Sequence, residues 1–126
     1  MKLNLGCMRE ILLSMEGIGY NESLPFNDLV ERLPHYSRDE LQYNCYVLCE
    51  KGYIDARRIA IDGLINPYIY ELWDITPSGH ALLDAIRPKS AFEKVKETIS
   101  DMGPKALENV PELALTIVSE WLKNRR

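Results

Sequence analysis

At 126 residues, with 46% hydrophobic and 27% charged side chains, the chain is long enough for one domain with a real core, and its composition excludes a disordered or fibrous protein. The formal charge of −4 is unevenly held: residues 1–87 carry 8 Lys and Arg against 13 Asp and Glu, whereas residues 88–126 carry 7 against 6. A net-negative first portion is a poor start for phosphate binding, and the apolar runs are too short to span a bilayer. Three cysteines without a framework, and a start that moves straight into an amphipathic pattern with no signal peptide, point to the cytoplasm.

Asn4 is placed to cap a first helix bearing Leu5, Met8, Ile11, Leu12 and Met15 on one face, ended by Gly17 and Gly19. A very short strand fits residues 24–26, held to a sheet edge by Pro25. Asn27 then caps a short helix over 28–33, with Leu29, Val30 and Leu33 as its apolar face and Pro34 as its stop. Only His35 and Tyr36 separate it from Ser37, which with Glu40 makes a Ser-x-x-Glu capping box for a third helix. Two helices joined by so tight a corner form a helix-turn-helix. In the third helix Leu41, Cys45 and Leu48 point inward, while Asp39, Tyr43, Tyr46 and Glu50 point outward, and Gly52 supplies the left-handed stop.

Residues 53–61 and 68–75 are rich in β-formers and make a hairpin whose connection contains Asp62-Gly63 and Asn66-Pro67. The alternation slips near Arg57-Arg58, where a bulge or strong twist is expected, and in the second strand Ile69, Trp73 and Ile75 alternate with Tyr68, Tyr70 and Leu72. Thr76 caps a fourth helix with Pro77 in its first position and Ala81, Leu82, Ala85 and Ile86 inward. After Pro88, an amphipathic helix over 90–102 carries Phe92, Val95, Ile99 and Met102. Past Gly103-Pro104, with Pro111 marking another start, Leu107, Val110, Ala114, Ile117 and Trp121 form a last stripe.

Helix, helix, helix, hairpin, helix is the order of a winged helix-turn-helix. The expected fold class is therefore α+β, a winged helix over residues 1–87 with a helical extension over 88–126. Two joins resemble those of winged-helix regulators: Leu48-Cys49-Glu50-Lys51-Gly52-Tyr53-Ile54 between third helix and wing, and Ile75-Thr76-Pro77-Ser78-Gly79-His80-Ala81-Leu82-Leu83 between wing and fourth helix. More narrowly, the run from Met1 through Asn4, Cys7 and Arg9 to Leu13 resembles a family of small phage- and prophage-associated proteins classed as a domain of unknown function. So do Leu33-Pro34-His35-Tyr36-Ser37 and Gly79-His80 followed by Leu83-Asp84-Ala85-Ile86-Arg87. The likeness runs over roughly residues 1–100, with Phe92 where that family usually shows Trp. It implies no catalytic residue and no cofactor.

A third helix lying in the major groove makes Arg38, Gln42, Tyr43 and Tyr46 the base-contact candidates and puts Arg57 and Arg58 on the phosphate backbone of duplex DNA, as in a transcriptional regulator. The outward stripe holds no Lys or Arg, however, and Asp39 and Glu50 repel phosphate. The rival expectation is a protein-binding face for a host protein, made by Asp39, Tyr43, Tyr46 and, at the hairpin tip, Leu64 and Ile65.

Cys45 and Cys49 have a spacing that can share a zinc, but Cys7, His35 and His80 complete no recognised pattern, so no metal or cofactor is expected. Ser78, His80 and Asp84 crowd onto one helix, whereas a catalytic triad converges from separate elements, and no enzyme is expected. Leu107, Val110, Ile117, Val118, Trp121 and Leu122 are too apolar to face water; they can complete the chain's own core, but the expectation, by analogy with winged-helix proteins, is that they pair two copies into a homodimer.

Overall fold

Side-chain caps start three of the helices. In the computed structural model, which describes residues 1–102 and 109–124, the Asn4 side chain accepts a hydrogen bond from the Cys7 amide and opens α1 (Leu5–Met15). Ser37 and Glu40 exchange both bonds of a capping box at the head of α3 (Arg38–Glu50). Thr76 accepts from the Gly79 amide to open α4 (Pro77–Ile86), whose first turn holds Pro77. Asn27, expected as a cap, is not one. The second helix, α2 (Phe26–Arg32), starts before it, directly behind Pro25, because the buried Phe26 ring fixes the entry of the chain; the Asn27 side-chain carbonyl instead accepts from Arg38 Nη1 at 3.1 Å.

A three-stranded antiparallel sheet lies in the order β1–β3–β2, with β1 (Leu24–Pro25) on one edge, β2 (Ile54–Ile59) on the other and β3 (Tyr68–Ile75) between them. The slip expected at Arg57-Arg58 is there, but the extra residue belongs to β3. Arg57 stands opposite Glu71 and Arg58 opposite Ile69, so Tyr70 is skipped; Asp55 stands opposite Asp74 and Ala56 opposite Leu72, so Trp73 is skipped. Each bulged residue is pushed outward, Tyr70 to 52% and Trp73 to 46% exposure. Strict alternation in β3 therefore fails: Ile69, Leu72 and Ile75 face the core, and Trp73, expected on one face with Ile69 and Ile75, does not.

The core is one continuous cluster. The inward stripes read for α1 and α3 are buried as expected, and in α4 Leu82, Leu83 and Ile86 are buried while Ala81 turns to solvent. The last two helices, α5 (Lys89–Met102) and α6 (Val110–Lys123), add Ala91, Val95, Ile99, Val110, Ala114 and Val118 to the same cluster, with α6 packed on α4 and α5. Phe92 sits under two cations, Arg9 and Lys96, at 5.2 and 5.3 Å from its ring centre. Met102, expected inward, is exposed. Among the described residues no helix is long and apolar enough to cross a membrane.

Polar clamps tie the first helix to the rest. Arg9 Nε donates to the Ile86 carbonyl at 2.9 Å, and the Arg87 guanidinium grips both carboxylate oxygens of Glu16. The Arg87 bonds hold the Glu16 carboxyl below its ordinary value of 4.5. Burial pushes Glu10 upward, but hydrogen bonds from His35 and Tyr36 outweigh it and leave that carboxyl depressed as well. A depressed carboxyl contributes stability above its unfolded pKa and loses it as pH falls through the folded one. Stability is thus expected to be level above about pH 5 and to fall below 4.5. In urea titrations across that range, Glu16→Gln should show a shallower acid limb than the parent; an unchanged limb would remove Glu16 from this account.

Candidate functional site

The outward side of α3 and the loop between β2 and β3 face each other across a groove of about 550 Å³. One wall is Asp39, Gln42, Tyr43 and Tyr46; the other is Gly63, Leu64, Ile65, Asn66, Pro67 and Tyr68, with Met1 at the border. Helix periodicity puts the first set in a row, since positions three and four apart share a face. The loop reaches the helix by a tight turn in which the Leu64 amide donates to the Ile61 carbonyl at 3.1 Å and Gly63 takes a φ of 91°. Ile65 is 99% exposed and Leu64 53%, so the loop wall offers bare aliphatic surface to anything that enters.

The floor of this groove is tied to β3 by side-chain hydrogen bonds. Gln42 donates through Nε2 to the Ile69 carbonyl at 2.8 Å and accepts the Ile69 amide through Oε1 at 3.0 Å, which satisfies a β3 backbone pair with one side chain. Arg38 reaches the same strand by a 3.1 Å bond to the Tyr68 hydroxyl, a second 3.1 Å bond to Asn27, and stacking 5.2 Å over the Phe26 ring. Tyr46 and Tyr68 pack their rings against the core, and Phe26 meets Tyr68 edge-on at 5.9 Å. α3 is thereby braced against β3, with Gln42, Tyr46 and Tyr68 of the lining tied to the rest of the fold.

All five residues read as protein-contact candidates, Asp39, Tyr43, Tyr46, Leu64 and Ile65, line this one groove. Of the DNA-contact candidates, Gln42, Tyr43 and Tyr46 line the same groove, whereas Arg38, Arg57 and Arg58 are not among its lining residues. Gln42 and Arg38 are engaged with β3, Arg58 pairs with Glu50, and Arg57 lies 5.2 Å over the Tyr70 ring. Tyr68, Pro67 and Asn66 also line the groove, without a local signal in the sequence that says so. The Asn66-Pro67 pair marked only a turn, and nothing local shows which wall a turn will face.

The remaining candidates are scattered. Val110 and Val118 lie in the chain's own core, Ile117 and Trp121 are half-buried, Leu122 is exposed, and Leu107 lies outside the described residues. The dimer stripe is therefore narrower than the sequence pattern, because α4 and α5 cover part of it. Burial pushes the Cys7 thiol up to about 12 and raises Cys45 as well, as befits core residues, while Cys49 is half-buried. Among the described residues no group of three or more His, Cys, Asp or Glu stands close enough to hold a metal ion. Ser78, His80 and Asp84 are all exposed on α4, and Asp84 faces Arg87 at 3.8 Å.

A family model described as "Hypothetical protein (DUF2513)" matches residues 2–105. The chain belongs to that family. No curated protein and no solved structure matches it. The DUF2513 span agrees with the resemblance to a domain of unknown function over roughly residues 1–100, and it contains the whole groove apart from the bordering Met1, whereas α6 lies beyond it.

Proposed function

We propose that this chain is a winged-helix interaction module of the phage-associated kind, acting in the cytoplasm, whose α3–hairpin groove docks another protein. The element order supports the winged-helix reading: a tight corner between α2 and α3, then a hairpin, then α4. One observation carries the docking reading. The aromatic and aliphatic candidates converge on a single groove, while the arginines and the glutamine that would serve DNA are engaged within the fold. A large exposed aliphatic pair beside two tyrosines on a braced floor is the chemistry of a protein interface rather than of a phosphate grip.

A photo-crosslinking side chain in place of Ile65 tests this in the native host. The expected result is one discrete protein adduct, with none from the same probe at Tyr20, which is exposed but outside the groove. Adducts to nucleic acid, or an identical pattern from both positions, would overturn it.

DNA reading is the second possibility, favoured by the placement of α3 as the second helix of the corner with the hairpin behind it. It requires measurable binding of a random duplex pool at roughly 20 mM salt, where charges act over about 20 Å, and steep weakening as salt rises. Self-association through Ile117, Trp121 and Leu122 completes the proposal. A dimeric mass by light scattering at micromolar concentration supports it, and a monomeric mass removes it.

A further inference from the structure

The charge pattern of the groove says what kind of segment it accepts. We infer that the partner enters with an apolar stretch that carries a lysine or arginine next to its anchor, an inference that rests on the docking reading above. Asp39 is the one charged side chain lining the groove, and it stands exposed at the rim, in the first turn of α3. No basic side chain among the described residues makes an ion pair with it: Arg38, its neighbour in sequence, donates to Asn27 and to the hydroxyl of the groove residue Tyr68, and Arg58 is held by Glu50. The rest of the lining is mostly tyrosine and aliphatic side chains, with Asn66 and the Gln42 amide as its uncharged polar groups, and that amide is already engaged.

The wider field has the same sign. Residues 1–87 hold 8 basic against 13 acidic side chains, so an acidic segment is repelled on approach and a basic one is drawn in. A basic, apolar segment satisfies both walls at once. Its aliphatic or aromatic anchor covers Leu64 and Ile65, and its cation meets the exposed carboxylate of Asp39 at the groove's edge, where one charge-assisted bond can form without burying either ion.

A display library of short linear peptides, selected on the full purified chain, tests the inference. Enriched peptides should combine apolar anchors with Lys or Arg. Their binding should vanish in Ile65→Asp, drop about threefold in Asp39→Asn, and depend less steeply on salt in that variant. Thermal melts of both variants show that each remains folded. Peptides that need Ile65 but carry no cation, or that bind Asp39→Asn unchanged, overturn the partner's chemistry and leave the docking reading standing. Enrichment that is blind to Ile65→Asp, or no enrichment, overturns both. Self-association abolished by Ile65→Asp makes the occupant a second copy and overturns the inference.

Discussion

Gly79→Ala is expected to cost about 3 kcal/mol or more and to lower the thermal midpoint by roughly 10 °C. A Cβ at this position would stand 1.9 Å from the Tyr53 carbonyl oxygen and 2.7 Å from Ile75 Cγ2. The oxygen cannot retreat cheaply, because it is backbone and accepts the Thr76 amide at 3.1 Å. Nor can α4 back away as a unit: Thr76 Oγ1 donates to the Gly52 carbonyl at 2.6 Å while accepting the Gly79 amide at 3.1 Å. The start of α4 is thus pressed directly onto the join between α3 and β2, and only a residue without a side chain permits that approach. Gly52 supplies the internal comparison. Its φ is 80° and a Cβ there meets nothing within 4 Å, so Gly52→Ala carries backbone strain alone, about 1 kcal/mol. Urea denaturation of the two variants should rank Gly79→Ala as much the worse; equal losses, or the reverse order, would show that the close approach is not what the glycine serves.

These two glycines also mark how far the chain could be read without coordinates. Gly52 announced itself through local pattern, a stop after the Leu41, Cys45 and Leu48 stripe, and it does hold the left-handed turn. Gly79 stood in a recognisable join, but the reason for it is a contact with Tyr53, twenty-odd residues away, which no local rule can supply. The same division runs through the site. Helix periodicity put Asp39, Tyr43 and Tyr46 on one outward row, and loop composition picked out Leu64 and Ile65. That the two sets face each other is a matter of how the hairpin lies against α3, which its own residues do not announce, just as a count of apolar positions does not reveal that the bulges at Tyr70 and Trp73 fall in β3. Gln42 and Arg38 show the opposite failure. Polar side chains on an exposed helix look free in a sequence, yet both are engaged by β3, a strand that follows them in the chain. The last stripe is divided for a related reason: Val110 and Val118 are equally apolar whether a second copy or α4 and α5 cover them, and here α4 and α5 do.

Asn44 is the polar residue that sequence reading passed over, and its variants should rank next to Gly79→Ala in effect. It is fully buried within α3 beside the Leu41, Cys45 and Leu48 face. Its Oδ1 accepts the Asn4 amide at 3.1 Å and its Nδ2 donates to the Glu40 carbonyl at 2.8 Å. Asn4 in turn caps α1, so one buried amide fixes where the first helix begins relative to the third. Asn44→Ala strands the Asn4 N–H and leaves a cavity, together about 3 kcal/mol. Asn44→Asp separates the two halves of the amide. A carboxylate can still accept from Asn4 but cannot donate to Glu40, and burial disfavours its charge, so its folded pKa must lie above the unfolded value of about 3.9. The native state then holds the proton over a pH range in which the unfolded chain has released it, and stability relative to the parent falls as pH rises through that range. Below it the protonated carboxyl of the variant can donate again and restore the bond to Glu40, and the deficit should shrink. The quantity to measure is the difference in unfolding free energy between Asn44→Asp and the parent at several pH values, because Glu10 and Glu16 give the parent an acid limb of its own. A deficit that does not change with pH, or a variant as stable as the parent at pH 7, would mean that the Asn44 amide is not the hinge between α1 and α3.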